Sequence, residues 1–172
     1  SLLVKGLEKH PDYISFHMRK GIALEALGRL DEAIAVFETV LQINPDHESA
    51  SQRRLKCGMK IWPEDEFFEQ ITIATEAFPN NINHQFARLN YVLSVKKNFD
   101  LALEIVELCL KYHPNHERSL LYLALVHSWR GNHDDARKAI RKCLTRWPAS
   151  NDVHITASQI EKNAENPTKQ IG

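Results

Sequence analysis

Residues 19–45 have the sequence RKGIALEALGRLDEAIAVFETVLQINP, a pattern typical of two amphipathic helices joined by a short turn. Gly28 marks the end of the first helix, because glycine readily adopts the left-handed conformation that closes helices. In the second helix, Ala33 and Phe37 are four residues apart on one apolar face. Pro45 cannot continue a helix and ends it. The stretch therefore predicts a helical hairpin with a buried seam.

The same punctuation recurs through the chain. Prolines stand at Pro11, Pro45, Pro79, Pro114 and Pro148, with gaps of 34, 34, 35 and 34 residues. The small and apolar pair of the second helix recurs as Ala33/Phe37, Ala102/Val106 and Ala136/Ile140. A constant period of this length indicates a tandem repeat in which each unit packs on its neighbours.

The period of about 34 residues, the alanine with an apolar partner four residues later and the recurring proline are together similar to the pattern of the tetratricopeptide repeat family. The resemblance implies an all-α fold, a right-handed α-solenoid of antiparallel helix pairs with about ten helices. It divides the chain into repeats at about 12–45, 46–79, 82–114 and 116–148, a terminal helix at 150–165 and a flexible tail at 166–172. Residues 1–10 match only the second helix of a repeat, so we expect the chain to be a piece of a longer protein.

Two irregularities interrupt the pattern. In the second repeat, Leu55, Trp62 and Phe67 replace small residues, which predicts spread or tilted helices and a local change of curvature. The aromatic residues Trp62, Phe67 and Phe68 either repack the core or form an exposed cluster used for dimerisation or partner contact. The gap of 35 residues before Pro114 contains one extra residue, which we expect to lengthen the loop that begins at Pro79.

Composition excludes several classes of function. The chain has 172 residues, of which 43% are hydrophobic and 26% charged, and its 22 basic residues equal its 22 acidic residues in number. This balance does not indicate a nucleic-acid partner. No apolar run is long enough to span a membrane and no signal-peptide pattern begins the chain, so we expect a cytoplasmic protein. Cys57, Cys109 and Cys143 are expected to be free thiols in the core.

Motifs that carry chemistry are missing from the sequence. The nine histidines follow no zinc-ligand spacing, and no nucleophile or phosphate-binding motif occurs. We therefore predict no catalytic residue, no metal and no cofactor in these residues. The chain is not expected to be an enzyme.

Charge is sorted between the two kinds of helix. The first helices of the repeats carry eleven basic and five acidic residues, whereas the second helices of the first three complete repeats carry one basic residue, Lys111, among many acidic ones. In the resembled family, first helices line a concave groove that binds peptides. Alignment on the prolines places Arg19, Arg53 and Arg88 at one position, with Arg54 as an alternative to Arg53. The predicted groove residues are Arg19, Arg53, Lys56, His84, Arg88, Tyr91, Arg118 and Tyr122.

We therefore predict a scaffold that binds an acidic or extended segment of another protein; a solvated charged face is the plainer alternative. Two further hypotheses are the substrate-recruiting arm of a larger enzyme, such as a glycosyl- or sulfotransferase, and self-assembly through the second repeat or residues 1–10. The second helix of the fourth repeat departs from the charge pattern with a basic stripe, Arg137, Lys138, Arg141, Lys142 and Arg146. This stripe is either a solvated face or a site for RNA or phosphorylated protein.

Overall fold

The computed structural model describes residues 11–165, which form nine α-helices, one π-helical segment and no β-strand. The helices are α1 (Pro11–Ala26), α2 (Leu30–Ile43), α3 (Glu48–Ile61), α4 (Glu64–Ala77), α5 (Ile82–Tyr91), α6 (Phe99–Tyr112), α7 (Glu117–Trp129), α8 (His133–Arg146) and α9 (Asn151–Glu165), with the π-helical segment at Val92–Lys96. None of these helices is long and apolar enough to cross a membrane. The helix predicted at 1–10 and the tail predicted at 166–172 lie outside the described residues.

Four of the internal prolines, those at the 34- or 35-residue period, set the helix boundaries between repeats. Each second helix ends two residues before Pro45, Pro79, Pro114 or Pro148, and the next first helix begins three residues after that proline. Proline stops the helix because its ring clashes with the preceding turn and the residue before it disfavours helical geometry. The predicted order of first and second helices is therefore confirmed across the described residues.

The chain divides into two compact units, residues 1–84 and 85–172. In the first unit, α1 and α2 pack together around Phe37, which is fully buried. A Cβ atom at Gly21 would lie 2.5 Å from the Phe37 ring, so only glycine allows α1 to approach α2 this closely. The buried core of this unit contains Leu24, Ala33, Ile34, Val36, Phe37, Val40, Ala50 and Cys57.

The bulky residues of the second repeat are accommodated in the core of the first unit. Leu55 and Phe67 are buried, and Trp62 packs partly buried against the core. The Trp62 ring lies directly over Gly58, whose missing side chain makes room for it. Phe68 is half-buried. The large side chains therefore repack the core, and the alternative of an exposed aromatic cluster is wrong. The change of curvature stays a prediction.

The second unit has its own core between α7, α8 and α9. Its buried residues are Leu121, Ala124, Ala136, Ala139, Ile140, Cys143, Val153 and Ile160. The terminal helix α9 contributes Val153, Thr156 and Ile160 to this side, and its other face is mostly polar apart from Ile155, which is 67% exposed. A polar-backed last helix covers the open end of the core, as repeat arrays require.

The extra residue of the third repeat lies inside its first helix and not in the preceding loop. The loop after Pro79 has the same length as the loops after Pro45, Pro114 and Pro148. The helix instead continues from α5 into the π-helical segment, whose wider turn accommodates one additional residue. Lys97 then closes the helix in the left-handed region with φ 47°. The predicted lengthening of the loop is wrong.

Candidate functional site

Glu25 joins two first helices in the first unit. Arg53 Nη1 donates to Glu25 Oε2 at 2.7 Å, and Lys56 Nζ donates to Glu25 Oε1 at 2.8 Å. Glu25 lies on α1 and both cations lie on α3, so these first helices are side by side. We call this arrangement of Glu25, Arg53 and Lys56 the Glu25 clasp.

The clasp keeps Glu25 ionised. Burial raises the pKa of the carboxyl, but the hydrogen bonds and charges of Lys56 and Arg53 outweigh that effect and hold its pKa below the ordinary value. The Glu25 side chain is only 11% exposed, whereas those of Arg53 and Lys56 are 34% and 61% exposed. The two predicted groove cations are thus held in fixed positions with part of their surface open to solvent.

Other side chains extend the same face. Ile22 precedes Glu25 by three residues and Met59 follows Lys56 by three, a spacing that keeps residues on one side of a helix. Arg19 occupies in α1 the repeat position that Arg53 occupies in α3, eight residues after a proline. Arg19 is exposed, and Ile22 and Met59 are exposed by 38% and 60%. This surface, called below the first-helix face, consists of Arg19, Ile22, Glu25, Arg53, Lys56 and Met59.

Arg54 points away from the first-helix face. Its Nε donates to Glu38 on α2 at 2.9 Å and its Nη2 donates to Gln70 on α4 at 2.7 Å. Its guanidinium also lies 4.9 Å from the centre of the Trp62 ring. Arg54 therefore links the first helix to the second helices, and Arg53 is the residue placed on the first-helix face.

The π-helical segment shifts the register of three predicted groove residues. His84, Arg88 and Tyr91 all precede it, so the extra residue separates them from Pro114. No residue is inserted between Pro79 and these three residues, so their equivalents in other repeats are the residues at the same distance after the preceding proline. Each equivalent differs by one residue from the one found by counting back from Pro114. The sequence alignment counted back from Pro114 and placed all three residues one position away from their true equivalents.

His84 and Tyr91 are therefore core residues, and their predicted placement in the groove is wrong. His84 corresponds to Ala50 and Ser119, which are fully buried, and is itself 2% exposed. Tyr91 corresponds to Cys57 and is 7% exposed. Neither side chain presents a surface to a partner in this structure.

Arg88 does not occupy the repeat position of Arg19 and Arg53, so this part of the predicted alignment is wrong. Its equivalent is Arg54, and the true equivalent of Arg53 is Ala87. Arg88 is half-buried, and its Nε has no hydrogen-bond partner within residues 11–165. Of the three arginines aligned by proline counting, Arg19 and Arg53 share a position and Arg88 does not.

His84 is a titratable residue whose ring is buried. Within the described part of the chain, neither ring nitrogen has a hydrogen-bond partner, and the ring packs 5.5 Å from the centre of the Phe78 ring. Burial lowers the pKa of His84 to about 4, because the charged imidazolium would lose its hydration without gaining a partner. The imidazole is neutral at physiological pH.

In the second unit, Arg118 covers an aromatic pair. Its guanidinium lies 4.5 Å from the centre of the Phe86 ring and 5.8 Å from that of Tyr122. Phe86 and Tyr122 pack edge to face with their centres 5.5 Å apart. We call these three residues the Arg118 cluster. It brings together two predicted site residues, Arg118 and Tyr122, and adds Phe86, which is not among the predicted groove residues.

His116 supports this cluster from the start of α7. Its ring packs 5.5 Å from that of Phe86, and its Nδ1 accepts a hydrogen bond from the Ser119 backbone N–H at 3.2 Å. Burial, followed by the charges of His113 and Arg118, lowers the pKa of His116. The neutral ring can therefore act as the helix cap.

The residues suited to catalysis or metal binding do not assemble into a site in the described range. Within residues 11–165, no three histidine, cysteine, aspartate or glutamate side chains come together as metal ligands. Cys57, Cys109 and Cys143 are buried free thiols, as the sequence predicts. Burial raises the pKa of Cys109 to about 11, which keeps it protonated and unreactive.

Two family profiles match the chain. One, described as Tetratricopeptide repeat, matches residues 14–47, and the other, described as Tetratricopeptide repeat protein 21 second ARM domain, matches residues 81–165. Together they cover more than half of the chain. No curated protein sequence matches it at a significant level.

Several solved structures are similar. A tetratricopeptide repeat protein from Parabacteroides merdae has a TM-score of 0.76 and 16% identity over 90% of this chain, which spans 61% of that protein. YrrB, described as a TPR protein with an unusual peptide-binding site, has a TM-score of 0.67 and 15% identity, covering 97% of this chain and 86% of YrrB. MamA from Desulfovibrio magneticus RS-1 has a TM-score of 0.65 and 14% identity, covering 93% and 94% of the two chains. This likeness confirms the predicted all-α solenoid fold.

Proposed function

Because the chain belongs to the tetratricopeptide repeat family, we propose that it is a non-catalytic scaffold that binds a segment of another protein along the first helices of its repeats. The similar protein YrrB is described as having a peptide-binding site, which supports this class of function. The observation that carries the proposal is the Glu25 clasp, which holds two cations in position on the first-helix face.

The chemistry of the first-helix face indicates the partner. Two cations, Arg53 and Lys56, pair with one carboxylate, Glu25, and the exposed Arg19 adds a third cation to the face. An acidic side chain of a partner would add hydrogen bonds to the open N–H groups of Arg53, whose fixed position reduces the entropy lost on binding. The partner is therefore an acidic segment.

Apolar groups on the same face add a second requirement. Ile22 and Met59 leave 38% and 60% of their surfaces exposed. Burial of such surface stabilises a complex by roughly 25 cal/mol for each Å² removed from water. Methionine adapts its shape to different partners because its chain is unbranched and flexible. The segment is therefore expected to carry aliphatic side chains between its acidic ones.

The Arg118 cluster gives the second unit a similar surface. Stacking on Phe86 fixes the plane of the Arg118 guanidinium and leaves its N–H edges free to donate to a carboxylate. Tyr122 lies beside it and is half-buried. We propose that this cluster, taken by itself, contacts an acidic group of a partner protein.

The experiment begins with phage-displayed random peptides selected on the whole chain. We expect the selected peptides to be enriched in aspartate, glutamate and aliphatic residues. One enriched peptide, labelled with fluorescein, is then titrated by fluorescence anisotropy. Its affinity should fall steeply as salt concentration rises, because the contacting charges are partly exposed.

Charge reversal locates the binding surface. Arg19→Glu should lower the affinity for the selected peptide by about tenfold or more, since it replaces an electrostatic attraction by a repulsion. Lys111→Glu is the matched control, because Lys111 is an exposed cation on a second helix, α6. Circular dichroism verifies that both variants remain helical. Equal losses in the two variants, or a selected pool without acidic enrichment, would contradict the proposal.

A further inference from the structure

The strongest concentration of unpaired positive charge in the second unit lies on a second helix. Of the basic stripe on α8, Arg137 is held by Glu161 of α9 through hydrogen bonds of 2.9 to 3.2 Å. Within residues 11–165, no carboxylate forms an ion pair with Arg141, Lys142 or Arg146. These three cations are exposed.

The same three cations line a pocket. It has a volume of about 680 Å³ and is bounded by Pro114, Leu120, Arg141, Lys142, Thr145 and Arg146. Leu120 is half-buried and packs against the core of the second unit, so this apolar part of the lining, called below the apolar base, is held in place. The Thr145 hydroxyl donates to the Arg141 carbonyl at 3.0 Å and is therefore satisfied within the helix. We call this site the α8 pocket.

We propose that the α8 pocket binds an acidic segment of another protein, with an aliphatic side chain on Leu120 and Pro114 and anionic oxygens on the surrounding cations. Guanidinium groups bind carboxylate and phosphate oxygens with two parallel hydrogen bonds, which favours clustered anionic groups. The volume lies within the range of sites that hold a few side chains. This site is separate from the first-helix face and does not depend on it.

An RNA partner fits the pocket less well. Binding of single-stranded RNA commonly uses aromatic rings on which bases stack, and no aromatic residue lines the pocket. The neighbouring Trp147 ring is already covered by the Arg146 guanidinium at 5.4 Å. The combination of an apolar base and three cations matches a peptide that alternates aliphatic and acidic residues.

The test uses the whole chain and fluorescein-labelled probes of equal length. The first probe is a glutamate peptide with a central leucine, and the second replaces two of its glutamates by phosphoserine. A third probe has serine in place of the leucine, and a fourth is oligouridylate. Arg141→Gln with Lys142→Gln removes the charge of the pocket, and Lys138→Gln with Lys162→Gln removes two exposed cations that do not line it.

We expect the affinity for the first probe to fall by about tenfold or more in the Arg141 and Lys142 double variant. In the control pair it should fall by less than about threefold. The serine probe should bind more weakly than the leucine probe, since it leaves the apolar base uncovered. Tighter binding of the phosphoserine probe would identify a phosphorylated segment as the source of the anionic oxygens. Equal losses in both double variants would overturn the proposal, as would an oligouridylate probe that binds most tightly and depends on the same residues.

Discussion

Protonation of His84 is expected to weaken the folded state in mild acid. The ring is 2% exposed, and neither of its nitrogens has a hydrogen-bond partner within the described residues. Burial lowers its pKa from 6.5 to about 4, so the unfolded chain takes up a proton at a pH where the folded chain does not. His84→Leu and His84→Gln both remove this titration, the first with an apolar and the second with a polar side chain.

The size of the effect follows from the pKa difference. Each unit of difference between folded and unfolded states corresponds to about 1.4 kcal/mol, which gives roughly 3 kcal/mol for His84. Because the pKa is lowered on folding, this stability is complete above about pH 6.5. It declines as the pH falls toward about 4 and does not change further below that value. The native protein should therefore lose roughly 3 kcal/mol across this window from His84 alone.

The assay is urea unfolding followed by circular dichroism from about pH 7 to about pH 4. Carboxylates such as Glu25 also titrate at the acid end, so the informative quantity is the difference between the native protein and each variant at every pH. His154→Gln removes an exposed histidine and controls for the loss of one imidazole. Proton resonances of the His84 ring give the midpoint directly, and it should lie near 4.

Two results would refute this reasoning. One is a His84 resonance that titrates near pH 6.5, which would mean that the ring is hydrated or paired in solution. The other is a free energy of unfolding with the same pH dependence in the native protein and both His84 variants. In either case, burial of the uncharged ring would not control acid stability.

Two further substitutions test the left-handed helix end at Lys97 and the contact between Gly58 and Trp62. Lys97→Gly should raise the free energy of unfolding by about 0.5–1 kcal/mol in urea titrations, because Lys97 adopts the left-handed conformation that Gly28 and Gly131 adopt in their own turns. Lys97→Ala should give no such gain, and an equal gain would show that backbone strain is not the cause. Gly58→Ala should lower it by about 1–3 kcal/mol, since the new Cβ atom would overlap the Trp62 ring. Adding Trp62→Ala should remove most of the clash, so strictly additive losses in the double variant would contradict this account.

The helical repeat was predictable because its signals are local. A proline ends a helix wherever it occurs, and a glycine such as Gly28 or Gly131 closes one without tertiary help. The buried seam around Phe37 follows from apolar spacing alone. These features fix the order of helices before any contact between repeats is considered.

The position of the inserted residue was not predictable from proline spacing. A gap of 35 residues states that one residue is added but not where, since a loop and a helix can both absorb it. The structure selects the helix because Tyr91 and Val92 are buried before the added residue and Ala102 is buried after it. Matching the apolar pattern of this helix from its own start, through Leu89, would have revealed the shift.

Charge counting also misjudged the available cations. It left Arg54 as an alternative to Arg53 on the groove wall, although the Arg54 side chain is hydrogen-bonded to Glu38 and Gln70. Only side-chain geometry distinguishes a cation held within the fold from one that faces solvent. The basic stripe of α8 was visible in the sequence, but its pocket depends on Leu120 from another helix.

In the Glu25 clasp, a carboxylate of the protein itself already occupies the cations that a ligand of the first-helix face would bind. An internal carboxylate competes for its cations at an effective concentration that free small anions do not reach, because it is tethered to the same fold. We therefore expect single carboxylates such as acetate to bind weakly. A ligand of this face is expected to need several linked groups, so that the number of linked contacts and not charge alone decides its affinity.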